Sequence, residues 1–369
     1  MPPFAHQVSA ADDEFHRMPE DSPFWSESAQ FTCYDEASGV AAYVHWGLLG
    51  REIWEALFAL YLPNGEIMVS RTFAPRLEGE PMRTGEAEIF PIVPLESWRM
   101  RYHGVARRVL MADLATGPLT DGPTERVKVD LVGTGTTPAF GKGARQKMEA
   151  QDNNLAVSGS GLHIEQSTHV TGTVEIHGET IHFNAVGHRD HSCGPRHNSH
   201  MWRESWVNGT FPDGRIFHCV QVFVTGRPIY FMGYVWRGTE FLPVTDYSGP
   251  LLTGTLGEPR DFIISFICEG RREQIEGELL GALPITLMPQ GMYPGTLEGE
   301  VGLACEGPAR WTWNGEIGYG WIERVFSRGG WPHIRARDAR QKGEISAALH
   351  PSRILGERYN ETYMALVDR

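Results

Sequence analysis

The sequence predicts an all-β protein of two packed antiparallel β-barrel domains with a few short helices. Three observations carry this. Short runs alternate apolar and polar residues with a period of two, the pattern of half-buried strands. Glycine (42) and proline (24) punctuate those runs, and turn signals recur at about the 8–12-residue spacing of barrels and sandwiches. A chain of 369 residues exceeds one ordinary domain and suits two. The expected division is an N-terminal arm (1–22), a first barrel (23–199) and a second (200–369).

The elements follow in order. "IWEALFALYLPNGEIMV" (53–69) spaces Trp54, Leu57, Phe58 and Tyr61 as a helix would, but Pro63-Asn64-Gly65 is a turn signal, and a hairpin is favoured. "VGTGTTPAFGKGARQ" (132–146) superficially resembles a phosphate loop, yet lacks the glycine-to-lysine spacing and a surrounding βαβ pattern, so it reads as a loop. "GARQKMEAQDN" (143–153) and "ERYNETYMALV" (357–367) fit a helical period. The clearest hairpin is "VTGTVEIHGETIHFNAVG" (170–187), turning at His177-Gly178. "GRIFHCVQVFV" (214–224) alternates two largely apolar faces, the mark of a strand buried on both sides. Pro212-Asp213-Gly214, Arg237-Gly238 and Asn314-Gly315 supply further turns.

The net charge of −13, without a long basic run, argues against nucleic acid as a partner. No apolar stretch approaches the ~18 residues that span a bilayer, and the N-terminus lacks the order of a signal peptide. A soluble, cytoplasmic protein without stable membrane insertion is expected. Its five cysteines (Cys33, Cys193, Cys219, Cys268, Cys305) are scattered and never spaced as CxxC, so they read as free, mostly core thiols.

The chemistry concentrates at "GHRDHSCGPRH" (187–197), in a region holding nine of the fifteen histidines (163–218). A metal reading would take His188 and His191, or His197 and His200, with Asp190 or Glu204. Residues three apart on a strand point to opposite faces, and no HxH or HExxH pair is present, so no metal is expected. A nucleophilic reading of Cys193 or Ser192 lacks a strand-to-helix elbow. Two readings remain. One is a salt-bridged corner of Arg189, Asp190 and Arg196. The other is an acid/base site in which His188 and Asp190 share one face, joined by His163 and Glu165 from the preceding strand "GLHIEQS", all four meeting inside the first barrel. Trp202, Trp206, Tyr234, Trp236, Trp311, Trp313, Tyr319 and Trp321 are core candidates first. Facing a shared cavity, such rings would suit an apolar substrate and a transient cation, with Glu316 and Glu323 as acidic partners.

At "HIEQ…GTVEIHGETIHFNAVGHRDHSCGPR" and "WNGEIGYGWIERVF" the chain resembles the two-domain lipocalin-like superfamily of carotenoid 1,2-hydratase (hydroxyneurosporene synthase) and kievitone hydratase, in its bacterial branch with an RDHSWGPR-type motif. Cys193 stands where that motif has tryptophan. The resemblance implies two lipocalin-like barrels and a catalytic aspartate at Asp190. His188 replaces the tyrosine two residues before it, and His163 and Glu165 occupy the upstream His-x-Trp pair. It also implies a cofactor-independent hydratase or dehydratase acting on a C=C bond of an apolar isoprenoid or related secondary metabolite. Asp190 would be the acid and His163 would handle the water, with His188 and Glu165 tuning the protons. Arg189, His191, Cys193 and Arg196, together with Trp202, Trp206, Tyr319, Trp321 and Glu323, would bind the substrate beside the first barrel's mouth. The alternatives are a cyclase or isomerase of a polyene or polyketide, and a carrier of hydrophobic ligands.

Overall fold

The computed structural model describes residues 8–16, 25–49, 52–77, 82–119, 122–142, 162–195, 203–224, 227–288, 291–296 and 302–327. Both helical candidates of the sequence, 143–153 and 357–367, lie outside these residues. The described chain holds one 3-10 turn, Ala10–Asp13, and one four-residue helix, Met111–Leu114. The rest of its regular structure is β.

The first sheet comprises β1 (Trp25–Asp35), β2 (Val40–Leu49), β3 (Ile53–Tyr61), β4 (Glu66–Pro75), β5 (Met82–Arg83), β6 (Ala87–Val93), β7 (Ser97–Leu110), β8 (Thr124–Gly135), β9 (Phe140–Lys142), β10 (Leu162–Ile176) and β11 (Glu179–Pro195). Its main path runs β4-β3-β2-β1-β11-β10-β8-β7, and a β4–β7 pairing closes eight strands into a barrel. The second sheet repeats the plan with β12 (Arg203–Thr210), β13 (Arg215–Val224), β14 (Arg227–Arg237), β15 (Phe241–Ser248), β16 (Asp261–Cys268), β17 (Arg271–Leu279), β18 (Leu283–Met288), β19 (Gly291–Pro294), β20 (Gly302–Trp313) and β21 (Glu316–Ser327). Here β12 pairs with β21, and β17 with β20 closes the ring. In each barrel the first strand is sealed to the last.

The turn chemistry explains the meander. His177 and Gly178 both have positive φ (55° and 78°), as do Asn314 and Gly315 (53° and 84°), the backbone that two-residue hairpins require. Pro63-Asn64-Gly65 joins β3 to β4, so the helical spacing of 53–61 is overridden by the hairpin. Strands facing water on one side alternate cleanly, as β7 and β16 do. Strands β1 to β3 and β13 are buried on both faces because their outer faces pack against the other barrel. Three cores result. One fills barrel 1 around Phe31, Trp46, Phe58, Trp98 and Tyr102, and another fills barrel 2 around Phe217, Phe266 and Trp311. The third, between the barrels, joins Tyr43, Leu57 and Tyr61 to Trp206, Val220, Tyr234 and Trp321. All five cysteines are free and buried, and among the described residues no helix is long and apolar enough to cross a membrane.

Residues 8–16, part of the expected N-terminal arm, plug barrel 1. Asp13 enters barrel 1 and receives both guanidinium nitrogens of Arg189 (2.7 and 3.1 Å), the indole N–H of Trp98 (2.9 Å) and the Leu95 amide. His16 and His191 converge on one oxygen of Glu27 (3.0 and 3.2 Å). Burial would raise both acids, but His191, Arg189 and the Leu95 amide hold Asp13 at about 2, and His16 and His191 hold Glu27 at about 2. Because these folded-state values lie below the ordinary ones, the associated stability is present at neutral pH and lost on acidification. Each carboxylate is expected to contribute on the order of 2–3 kcal/mol at neutral pH, vanishing as pH falls from about 4.5 toward 2. Urea melts at stepped pH check this, and a flat profile in that window refutes it.

Candidate active site

The antiparallel register of β10 and β11 sets Glu165 opposite Asp190, Ser167 opposite His188 and His163 opposite Ser192. His163, Glu165, His188 and Asp190 therefore do meet, but on the outer face of barrel 1, against barrel 2. The expectation of a site inside the barrel or at its mouth is corrected here. Positions 183, 185, 189 and 191 of β11 face inward, and the even positions face out. Gly187 sets this up: a Cβ there would lie 2.6 Å from Val170 and 2.8 Å from the Thr32 carbonyl, so only glycine lets β11 press against its neighbours just before His188.

Glu165 is fully buried and gathers ring nitrogens. His163 Nε2 lies 3.0 Å and Trp206 Nε1 2.8 Å from its Oε1, and His188 Nε2 lies 2.9 Å from its Oε2. His218 Nε2, from β13, lies 3.3 Å from Oε1. His163 also bonds Asp190 Oδ2 at 2.6 Å, and His188 Nδ1 meets Ser167 Oγ at 3.1 Å. Burial opposes charge on His163, but Asp190 and Glu165 override it and hold the imidazolium up to about 10. Burial likewise opposes charge on Glu165, yet His218, His163 and His188 keep it well below the carboxylate range. His188 is lowered, chiefly by burial. Asp190 and His163 keep 18% and 16% of their side-chain surface exposed while Glu165 and His188 keep none, so the cluster opens at the Asp190 edge.

Barrel 2 contributes a second group. Glu306 and Glu323 are cross-strand neighbours on β20 and β21. Trp321 Nε1 donates to Glu306 Oε2 (2.8 Å), and the Tyr61 hydroxyl to the Glu306 carbonyl (3.1 Å). Tyr43 stacks on Trp321 at 5.8 Å, with Tyr61 edge-on at 5.5 Å. Burial raises Glu306 to about 7, and burial with the adjacent Glu306 raises Glu323 well above the carboxylate range, because two carboxylates cannot both ionise there. Asp190 and Glu165 add to the repulsion on Glu323, which places it across from the imidazole cluster.

Of the residues expected to bind substrate, Trp206, Trp321 and Glu323 come to this region. Arg189, His191 and Cys193 do not. They point into barrel 1, where Arg189 and His191 hold the plug and Cys193 packs with Leu162 and Ile164. Among the described residues Arg189 and Asp190 do not form the expected salt-bridged corner with each other, since Arg189 pairs with Asp13 and Asp190 with His163. Tyr319 lies toward the rim, beside Tyr34 and bonded to Glu36. Arg196 and Trp202 lie outside the described residues, as do His197 and His200. His218 and Glu306 were not anticipated. The signal for His218 was one polar residue among Ile216, Val220 and Val222 on its strand face, whereas Glu306 shares its face with Arg310 and Thr312 and carried none.

Residues 9–325 match the family model described as "Domain of unknown function (DUF7064)". The chain belongs to this family. Comparison with curated protein sequences finds no match. Among solved structures, the family's fold in this chain is similar to kievitone hydratase from Nectria haematococca, at 12% identity and TM-score 0.51 over 89% of this chain and 94% of that one. It is similar to a Nitrosomonas europaea protein provisionally called AttH at 12% identity and TM-score 0.50, over 88% and 98% of the two chains. The resemblance to the superfamily that contains kievitone hydratase thus holds at the level of the two-barrel fold.

Proposed function

We propose that this protein is a hydratase or dehydratase that works by acid/base chemistry on a C=C bond of an apolar isoprenoid or related secondary metabolite, between its two barrels. The observation that supports this best is the opposition of two proton stores: the His163–Asp190 pair on barrel 1 and the Glu306–Glu323 pair on barrel 2. In the hydration direction, protonated Glu323 gives its proton to one alkene carbon. The carbocation is flanked by Trp206, Trp321 and Tyr43, each well-placed desolvated ring contributing up to about 2 kcal/mol. Water adds to the other carbon, and its surplus proton passes to Asp190, which His163 holds in place. This exchanges the roles expected from sequence, where Asp190 was the acid, because Asp190 faces an imidazolium and Glu323 faces another acid.

The test is incubation of the purified protein with apolar alkenes and tertiary alcohols in isotopically labelled water, read by mass spectrometry. A product heavier by one labelled water, or lighter by one water, supports the reading, and Asp190→Asn should lower its rate about 10²–10⁴-fold. A product of unchanged mass would make the enzyme an isomerase or cyclase. Ligand recovered unaltered after long incubation would make it a carrier.

A further inference from the structure

We infer that Glu165, His188 and His218 form a binding site for one divalent transition-metal ion, zinc being the first to test. Each offers one ligand atom, all within 4.8 Å of one another, and all three side chains are fully buried. Two imidazoles and one carboxylate suit zinc or ferrous iron, and three protein ligands leave a coordination position for water or substrate.

The surroundings are those of ligands held for a metal. His188 has its other ring nitrogen on Ser167 Oγ, which fixes ring orientation and tautomer, and Glu165 has its Oε1 engaged by Trp206 and His163 while Oε2 faces His188. An independent observation concerns His218. It is wholly buried, neither of its ring nitrogens makes a hydrogen bond, and its Nε2 approaches Glu165 at 3.3 Å outside hydrogen-bond geometry. A buried imidazole whose Nδ1 has no hydrogen-bond partner and whose Nε2 has only that loose contact with Glu165 is costly, and a metal would give its lone pair a partner. Among the described residues no lysine or arginine forms an ion pair with Glu165, and the His163 imidazolium is shared between Glu165 and Asp190, so a divalent cation would add positive charge where the two carboxylates crowd together. The sequence pointed away from a metal because it offered His188 and His191, which the strand sends to opposite faces. The third ligand comes instead from the other barrel.

The assignment does not depend on the reaction proposed above, and its test does not use turnover. The chelator-stripped full-length protein is titrated with zinc by calorimetry and, separately, with cobalt(II) as a spectroscopic probe of imidazole ligation. One equivalent bound, with a ligand-field spectrum and a melting temperature raised by the metal, is expected. His218→Ala should abolish stoichiometric binding. Ser167→Ala, which leaves all three ligands in place, should weaken it about 10–100-fold. His16→Ala should leave it intact, since the comparable trio His16, Glu27 and His191 belongs to the plug. Absence of a cobalt spectrum, binding unchanged in Ser167→Ala, or loss that follows His16 rather than His218 would each overturn the site. Zinc binding without turnover would instead overturn the reaction and leave the site standing.

Discussion

Replacing Glu323 by glutamine is expected to lower turnover about 10²–10⁴-fold, the contribution of a positioned acid, while leaving the melting temperature close to that of the wild type. Glu323 is buried beside Glu306 and across from Asp190, and these together raise its carboxyl group well above the carboxylate range, which favours the protonated acid. Glutamine preserves shape and hydrogen bonding but has no proton to give. Being neutral like the protonated acid it replaces, it should leave the stability of the fold nearly unchanged. A variant turning over at more than a tenth of the wild-type rate would place the acid elsewhere. Steady-state kinetics on the substrate found with labelled water, with a thermal melt of the same sample, decides it.

The second large effect is on stability. Arg189→Ala should cost about 3–5 kcal/mol, because it leaves Asp13 buried without its guanidinium partner. Trp98 loses a cation stacked 4.7 Å from its ring centre as well. The damage should reach the site, since Arg189 lies between His188 and Asp190 and its inward anchor fixes the stretch of β11 that presents them outward. Urea unfolding of Arg189→Ala within 1 kcal/mol of the wild type would show that the plug does not depend on this pair.

How far these groups could be foreseen depends on which physical signal each carries. The period of two put His188 with Asp190, and His163 with Glu165, and the His177-Gly178 turn fixed their register, so this quartet was legible in the sequence. The side of the barrel it occupies was not. Alternation tells inside from outside only where one face is wet, and β11 packs a core inward while meeting barrel 2 outward. His218 and Glu306 were hidden because their partners are distant in the chain or on the other barrel and their own neighbours are apolar. The plug was hidden too, since nothing in "AADD" indicates an arginine distant in the chain.

The seam between first and last strands has a consequence for the newborn chain. Trp25 meets Pro195 across the first seam, and Arg203 meets Phe326 across the second. At roughly 5–20 residues per second of synthesis, the free edge of β1 waits on the order of ten seconds or more for its partner. Throughout that wait it presents unpaired amides and carbonyls that another chain could adopt. Such distant pairing makes closure slow, and the outer apolar face of barrel 1 stays uncovered until barrel 2 has been made. During synthesis that edge therefore stays open to other chains until β11 has been made.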